Sequence, residues 1–212
     1  MQQVNHLQVM IEKGVVAIMR AKSSEQLIEA AEAVLAGGIQ AIEVTMTTPG
    51  ALNVIEKAVS KFGKEVLFGA GSVLDAETAR AAILSGAQFI VCPTFKPATI
   101  EMCKRYSIPV MPGAYTPTEV LSAWEMGADV VKIFPACVGG PTYIKALKGP
   151  LPQIRMAAVG GVDLTNTAQF FKAGVDLVGV GGELVSQALL DSHDFAAITE
   201  RARNFYREAN KK

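Results

Sequence analysis

The chain has 212 residues, half of them hydrophobic and 19% charged, and its twenty Lys+Arg balance its twenty Asp+Glu. That length fits one domain of roughly 200 residues with a large core, and a charge content below the ~25% of an ordinary soluble domain excludes a disordered or solvated-helix protein. A net charge of zero supplies no clustered positive field, so neither nucleic acid nor a membrane surface is expected as a partner.

Three cysteines (Cys92, Cys103, Cys137) without a CxxC spacing, and two histidines (His6, His193), support neither a zinc site nor a disulfide framework. The start of the chain lacks a basic segment followed by a long apolar run, and no stretch of about 18 apolar residues occurs. Neither a signal peptide nor a membrane span is expected, and the expected compartment is a reducing cytoplasm.

Along the chain, Leu7, Val9, Met10 and Ile11 have the spacing of an amphipathic helix lying against the body of the fold. A series of short apolar runs follows: Val15–Met19, Ala41–Val44, Val66–Ala70, Phe89–Val91, Pro109–Met111, Val130–Phe134, Met156–Val159 and Leu177–Val180. Most are too short for helices and rich in Val and Ile, and several are continuous rather than alternating, as strands covered on both faces are. Segments of helical spacing separate them: Glu25–Ala36, Leu52–Phe62, Ala76–Leu84, Ala98–Arg105, Pro117–Glu125, Thr142–Leu147 and Asn166–Lys172. Phe195, Ile198, Ala202 and Phe205 repeat the helical spacing near the end. Alternating strands and helices leave an open doubly wound sheet or a closed barrel, and eight units favour closure. The expected fold is α/β, a single-domain (β/α)8 barrel over residues 1–212 with an extra N-terminal helix.

Four of the strands, the second, fourth, sixth and eighth, are entered through one phrase, Gly-x-[Gln/Asp]-x-[Ile/Val], beginning at Gly38, Gly86, Gly127 and Gly174. The phrase reads as a helix that ends at a glycine in the left-handed conformation and turns straight into a strand. Five residues past each glycine stand Glu43, Val91, Lys132 and Gly179. In a barrel, alternate strands share interior layers, so these four positions are expected at one height.

Glu43 and Lys132 thus occupy matching places inside apolar strands, where an unpaired charge costs several kcal/mol. One reading is structural: an ion pair within the barrel, or a lysine whose stem is buried and whose head reaches solvent. The other is a site near the C-terminal mouth, where a desolvated lysine attacks a carbonyl and a carboxylate moves protons. Arg20 ends strand one, Ser72 follows Gly69-Ala70-Gly71 and could instead cap the helix near Ala76, and Phe134-Pro135 ends strand six. Glycine pairs follow strands seven (Gly160, Gly161) and eight (Gly181, Gly182), where many barrels bind phosphate through backbone N–H groups. Glu183, expected in the first turn of the next helix, would oppose a phosphate if it faced that nest. His193 lies in a polar turn.

The phrases Ile42-Glu43-Val44-Thr45, Gly69-Ala70-Gly71-Ser72-Val73, Met111-Pro112-Gly113, Val131-Lys132-Ile133-Phe134-Pro135-Ala136 and Gly149-Pro150 resemble those of the KDPG/KHG aldolase family. These are class I aldolases acting on 2-keto-3-deoxy-6-phosphogluconate or 4-hydroxy-2-oxoglutarate, and the resemblance runs in order from Val15 to Val185. It implies a homotrimeric barrel that needs no cofactor or metal, with Lys132 as Schiff-base lysine and Glu43 as general acid/base. The keto acid would be bound among Arg20, Thr47, Ser72, Pro93, Phe134, Gly160, Gly161, Gly181 and Gly182. Three positions depart from the family pattern: Thr47 stands where many members have an arginine, Val159 where a threonine is common, and Gly182 where a phosphate-binding serine is usual. Two other functions share the barrel, a sugar-phosphate isomerase or epimerase without a covalent lysine and a non-catalytic keto-acid-binding barrel.

Overall fold

The computed structural model describes residues 6–211. Among the described residues, nine strand segments run parallel in one sheet: β1 (Val15–Met19), β2 (Ala41–Thr45), β3 (Leu67–Gly71), β4 (Ile90–Val91), β5 (Val110–Met111), β6 (Gly113–Ala114), β7 (Val131–Ile133), β8 (Met156–Val159) and β9 (Leu177–Val180). Their order is β5-β4-β3-β2-β1-β9-β8-β7-β6. The two ends of the sheet are neighbours in the chain, separated by Pro112 alone, so the sheet is wrapped into a barrel. Eight strands were expected where nine segments occur, because proline has no N–H to donate and divides the fifth strand. One half pairs with β4 through Cys92 N–H to Met111 O (3.0 Å), and at the break Lys132 N–H donates to Pro112 O (2.9 Å) from β7.

The helices are α1 (His6–Lys13), α2 (Ser24–Ala36), α3 (Ala51–Phe62), α4 (Ala76–Leu84), α5 (Pro97–Arg105), α6 (Pro117–Glu125), α7 (Gly140–Lys148), α8 (Thr167–Lys172), α9 (Gln187–Asp191) and α10 (Phe195–Ala209). Side-chain caps start several of them: Ser23 for α2, Asp75 for α4, Ser186 for α9, Asp194 for α10, and a full capping box of Thr116 and Glu119 for α6. Short α9 begins at Gln187, four residues later than the helix start expected at Glu183, since five residues carry too little periodicity to fix its bounds.

The four recurring glycines have φ of +97° (Gly38), +97° (Gly86), +95° (Gly127) and +106° (Gly174), a backbone state that only glycine adopts without strain. The core has two parts. Outward strand residues such as Ile42, Val44, Phe68 and Ile133 meet the helices, while Val16, Ala41, Leu67, Phe89, Met111, Val130, Ala157 and Leu177 fill the barrel interior. α1 belongs to the second part: Met10 is fully buried among the interior residues and Leu7, Val9 and Ile11 pack beside it, closing the N-terminal end of the barrel. α10 buries Ile198, Ala202, Phe205 and Ala209, and its Ala202 lies so close to Gly37 that a β-carbon there would overlap the alanine.

Candidate active site

Counting from each recurring glycine organises the interior. Three residues on, Ala41, Phe89, Val130 and Leu177 all belong to the interior cluster. Two residues further, Glu43, Val91, Lys132 and Gly179 form the next level toward the C-terminal end. Glu43 is 3% and Lys132 5% exposed, so both charges are desolvated. Burial pushes the Glu43 carboxyl above its ordinary range, against the opposing pull of Lys132 and Arg20. Burial likewise holds the Lys132 ammonium below the usual lysine range, with Glu43 and Cys92 working the other way and Arg20 reinforcing the shift. The amine is therefore neutral, and so nucleophilic, at lower pH than a surface lysine. Cys92, also buried, has its thiol pushed up to about 12, which leaves it without nucleophilic thiolate near neutrality.

These two side chains face a cavity of about 200 Å³ at the C-terminal mouth. Seven of the residues expected to bind substrate line it: Arg20, Ser72, Pro93, Phe134, Gly160, Gly161 and Gly181. Ser72 has φ +57°, a strained state for a residue with a side chain; α4 is capped by Asp75 rather than Ser72. The Lys132 Nζ lies over the Phe134 ring, 4.7 Å from its centroid, a cation–π geometry. The same ring rests on Gly160, where a β-carbon would come within 3.2 Å of it. Arg20 stands beside the last glycine turn, with its Nη1 at 3.9 Å from where a Gly181 β-carbon would be.

Two expected binding residues lie outside the lining. Thr47 is exposed in the turn after β2, with its hydroxyl 2.9 Å from that of Thr45. Gly182 is exposed, with no atom near its missing side chain. Glu183 is not in a first helical turn as expected: the helix after β9 begins at Gln187, so Glu183 sits in a turn ahead of it, exposed, and its carbonyl accepts from Arg201 Nη1 at 3.1 Å. It does not line the cavity. Ile18 and Val159 form apolar wall that the sequence reading did not assign to the site. Alternation along β1 and β8 was the available signal, since Val16 and Ala157, two residues earlier, also face inward. His193 is exposed in the α9–α10 turn with φ +53°, away from the cavity.

A family model described as KDPG and KHG aldolase matches residues 7–201. The chain is 38% identical over 170 residues to a 2-dehydro-3-deoxy-6-phosphogalactonate aldolase of Escherichia coli strain K12, covering 80% of this chain and 83% of that protein. It is similar to the crystal structure of a KDPG aldolase from Legionella pneumophila with pyruvate captured as a covalent carbinolamine intermediate, with TM-score 0.87 and 29% identity over 93% of this chain and 96% of the other. It is also similar to a chain of a cube-shaped protein cage designed by fusing symmetric oligomeric domains, with TM-score 0.86 and 35% identity over 93% of this chain and 73% of that one.

Proposed function

The chain belongs to the KDPG and KHG aldolase family, and from that premise we propose that Lys132 and Glu43 carry out its aldol cleavage. It is an aldehyde-lyase of the Schiff-base type, acting on a 2-keto-4-hydroxy acid to give pyruvate and an aldehyde. Neutral Lys132 adds to the C2 carbonyl, and loss of water from the carbinolamine leaves a cationic imine. Glu43, directly or through one water, removes the proton of the 4-hydroxyl. The C3–C4 bond then breaks, its electron pair moves into the imine as an enamine, and the aldehyde departs. Protonation of the enamine at C3 and hydrolysis return pyruvate and the free lysine. The observation that supports these roles best is the burial of both groups around one cavity. Incubation with pyruvate and borohydride is expected to add one reduced pyruvyl group to the peptide that holds Lys132. Labelling at Lys145 or Lys148, or none, would overturn the assignment.

We infer further that the preferred substrate is a phosphorylated 2-keto-3-deoxy sugar acid. Arg20 beside Gly181, with backbone N–H groups of the glycine turns, suits an anion, and the Escherichia coli relative is named for a 6-phospho substrate. A kcat/KM higher for the phosphorylated than for the unphosphorylated acid is expected, with the ratio reduced in Arg20→Ala. Equal values in the wild type would leave these glycines as turns alone. A cytoplasmic homotrimer completes the reading, supported by three free cysteines and by the oligomeric domains of the similar designed cage. Sedimentation is expected to give three times 22.4 kDa, and a monomer mass would contradict it.

A further inference from the structure

We propose that Gly71 is a positioning residue for Glu43: the space of its missing side chain is where the Glu43 carboxylate sits, and the approach of that carboxylate to substrate depends on the space staying empty. β2 and β3 pair in parallel with Glu43 opposite Gly69 and Thr45 opposite Gly71, so Gly71 lies two residues toward the mouth from the position opposite the glutamate. A β-carbon built at Gly71 would overlap Oε1, Cδ and Cγ of Glu43, and these are its three nearest atoms. The backbone itself does not ask for glycine there. Gly71 is absent from the positive-φ residues and lies in regular strand, a conformation that any L-residue adopts. Only the glutamate side chain stands in the way.

Other inward glycines differ in what fills their vacancy. A β-carbon at Gly69 would strike the Phe89 ring, one at Gly113 the Pro93 backbone, and one at Gly179 the side chains of Val159 and Ile18. Those are packing constraints, and relieving them moves core or main chain. At Gly71 the obstacle is a flexible side chain beside the cavity, which yields by rotating into the open space. A methyl group at 71 is therefore tolerated by the fold and displaces the carboxylate, and proton transfer needs that carboxylate within direct or one-water reach.

The inference rests on the reading of Glu43 as proton carrier, so Gly71→Ala and Glu43→Gln are measured together. In Gly71→Ala, cleavage is expected to fall by about 10² or more, the scale of general acid/base catalysis. The extent of pyruvate–borohydride trapping at Lys132 and the melting temperature are expected to stay near wild type. Exchange of the pyruvate methyl hydrogens with deuterium, which needs the proton carrier but no aldehyde, is expected to slow with cleavage. Combining Gly71→Ala with Glu43→Asp, one methylene shorter, is expected to cost less than the product of the two single losses, as for groups in direct contact. Wild-type turnover in Glu43→Gln would remove the underlying role of the glutamate. Slow turnover in Glu43→Gln beside wild-type turnover in Gly71→Ala would overturn the positioning inference alone. Loss of trapping and thermal stability in Gly71→Ala would show a packing role and overturn it as well.

Discussion

Lys132 and Glu43 perturb each other electrostatically, and this makes the roles proposed for them separable by pH. The negative charge of Glu43 holds a proton on Lys132 more tightly than burial alone would allow. Imine formation needs the neutral amine, so its rate falls as pH drops through the lysine's pKa. Glu43→Gln removes the opposing charge and lowers that pKa further; the acid limb of imine formation therefore moves to lower pH. The same variant is expected to lose about 10²–10⁴ in cleavage while still forming imine. A trapping-rate profile against pH, set beside steady-state turnover, reads both effects. An acid limb that stays in place would mean that the two groups are not electrostatically coupled.

At the scale of strands and helices, the repeated phrase Gly-x-[Gln/Asp] has a second half that the glycine does not explain. In three of its four occurrences the polar residue two after the glycine accepts, through its side chain, a backbone N–H from an earlier strand. Gln88 Oε1 takes Phe68 N–H (3.0 Å), Asp129 Oδ2 takes Val110 N–H (2.9 Å) and Asp176 Oδ2 takes Met156 N–H (2.9 Å). Each side chain thus pins one strand to its neighbour where the ladder begins. Asp129 also holds Lys104 at 2.7 Å, with a lysine that is 41% exposed. Asp129→Ala leaves the Val110 N–H without its acceptor and is expected to cost about 1–3 kcal/mol in urea unfolding. Lys104→Ala removes only a partly exposed ion pair and should cost below about 1 kcal/mol. Equal losses in the two variants would place the stabilisation in the ion pair instead. The glycine turn was visible in the sequence because one residue type supplies it; the acceptor was not, because its partner lies about twenty residues upstream in another strand.

Across the whole molecule the two ends of the barrel have different tasks. α1 closes the N-terminal end with fully buried Met10, and the cavity with Lys132 and Glu43 opens at the other. Met10→Ala is expected to destabilise by about 2–5 kcal/mol, the range for truncating a buried methionine, with borohydride trapping at Lys132 unchanged below the new melting temperature. A parallel loss of trapping under conditions where the variant stays folded would show that the two ends are coupled.

How far the sequence alone reaches follows from the range of the interactions involved. Strand positions, left-handed glycines and the matching heights of Glu43 and Lys132 are written in short-range spacing, and the structure keeps them. Membership of one cavity is not local. Thr47 and Gly182 sit within a few residues of strands β2 and β9 yet lie outside the lining, while Ile18 and Val159, in the strands themselves, are part of it. The break at Pro112, though visible as a proline, becomes the seam of the barrel only because β4 and β7 take opposite sides of it. The loop segments beside the mouth are held by contacts outside the cavity, the Thr47 hydroxyl against that of Thr45 and the Glu183 backbone carbonyl against Arg201. Inward-facing strand residues are held in place by the ladder and the pleat. That is why the placement of Glu43 and Lys132 on the strands was legible in the sequence, while the boundary of the cavity was decided by tertiary contacts.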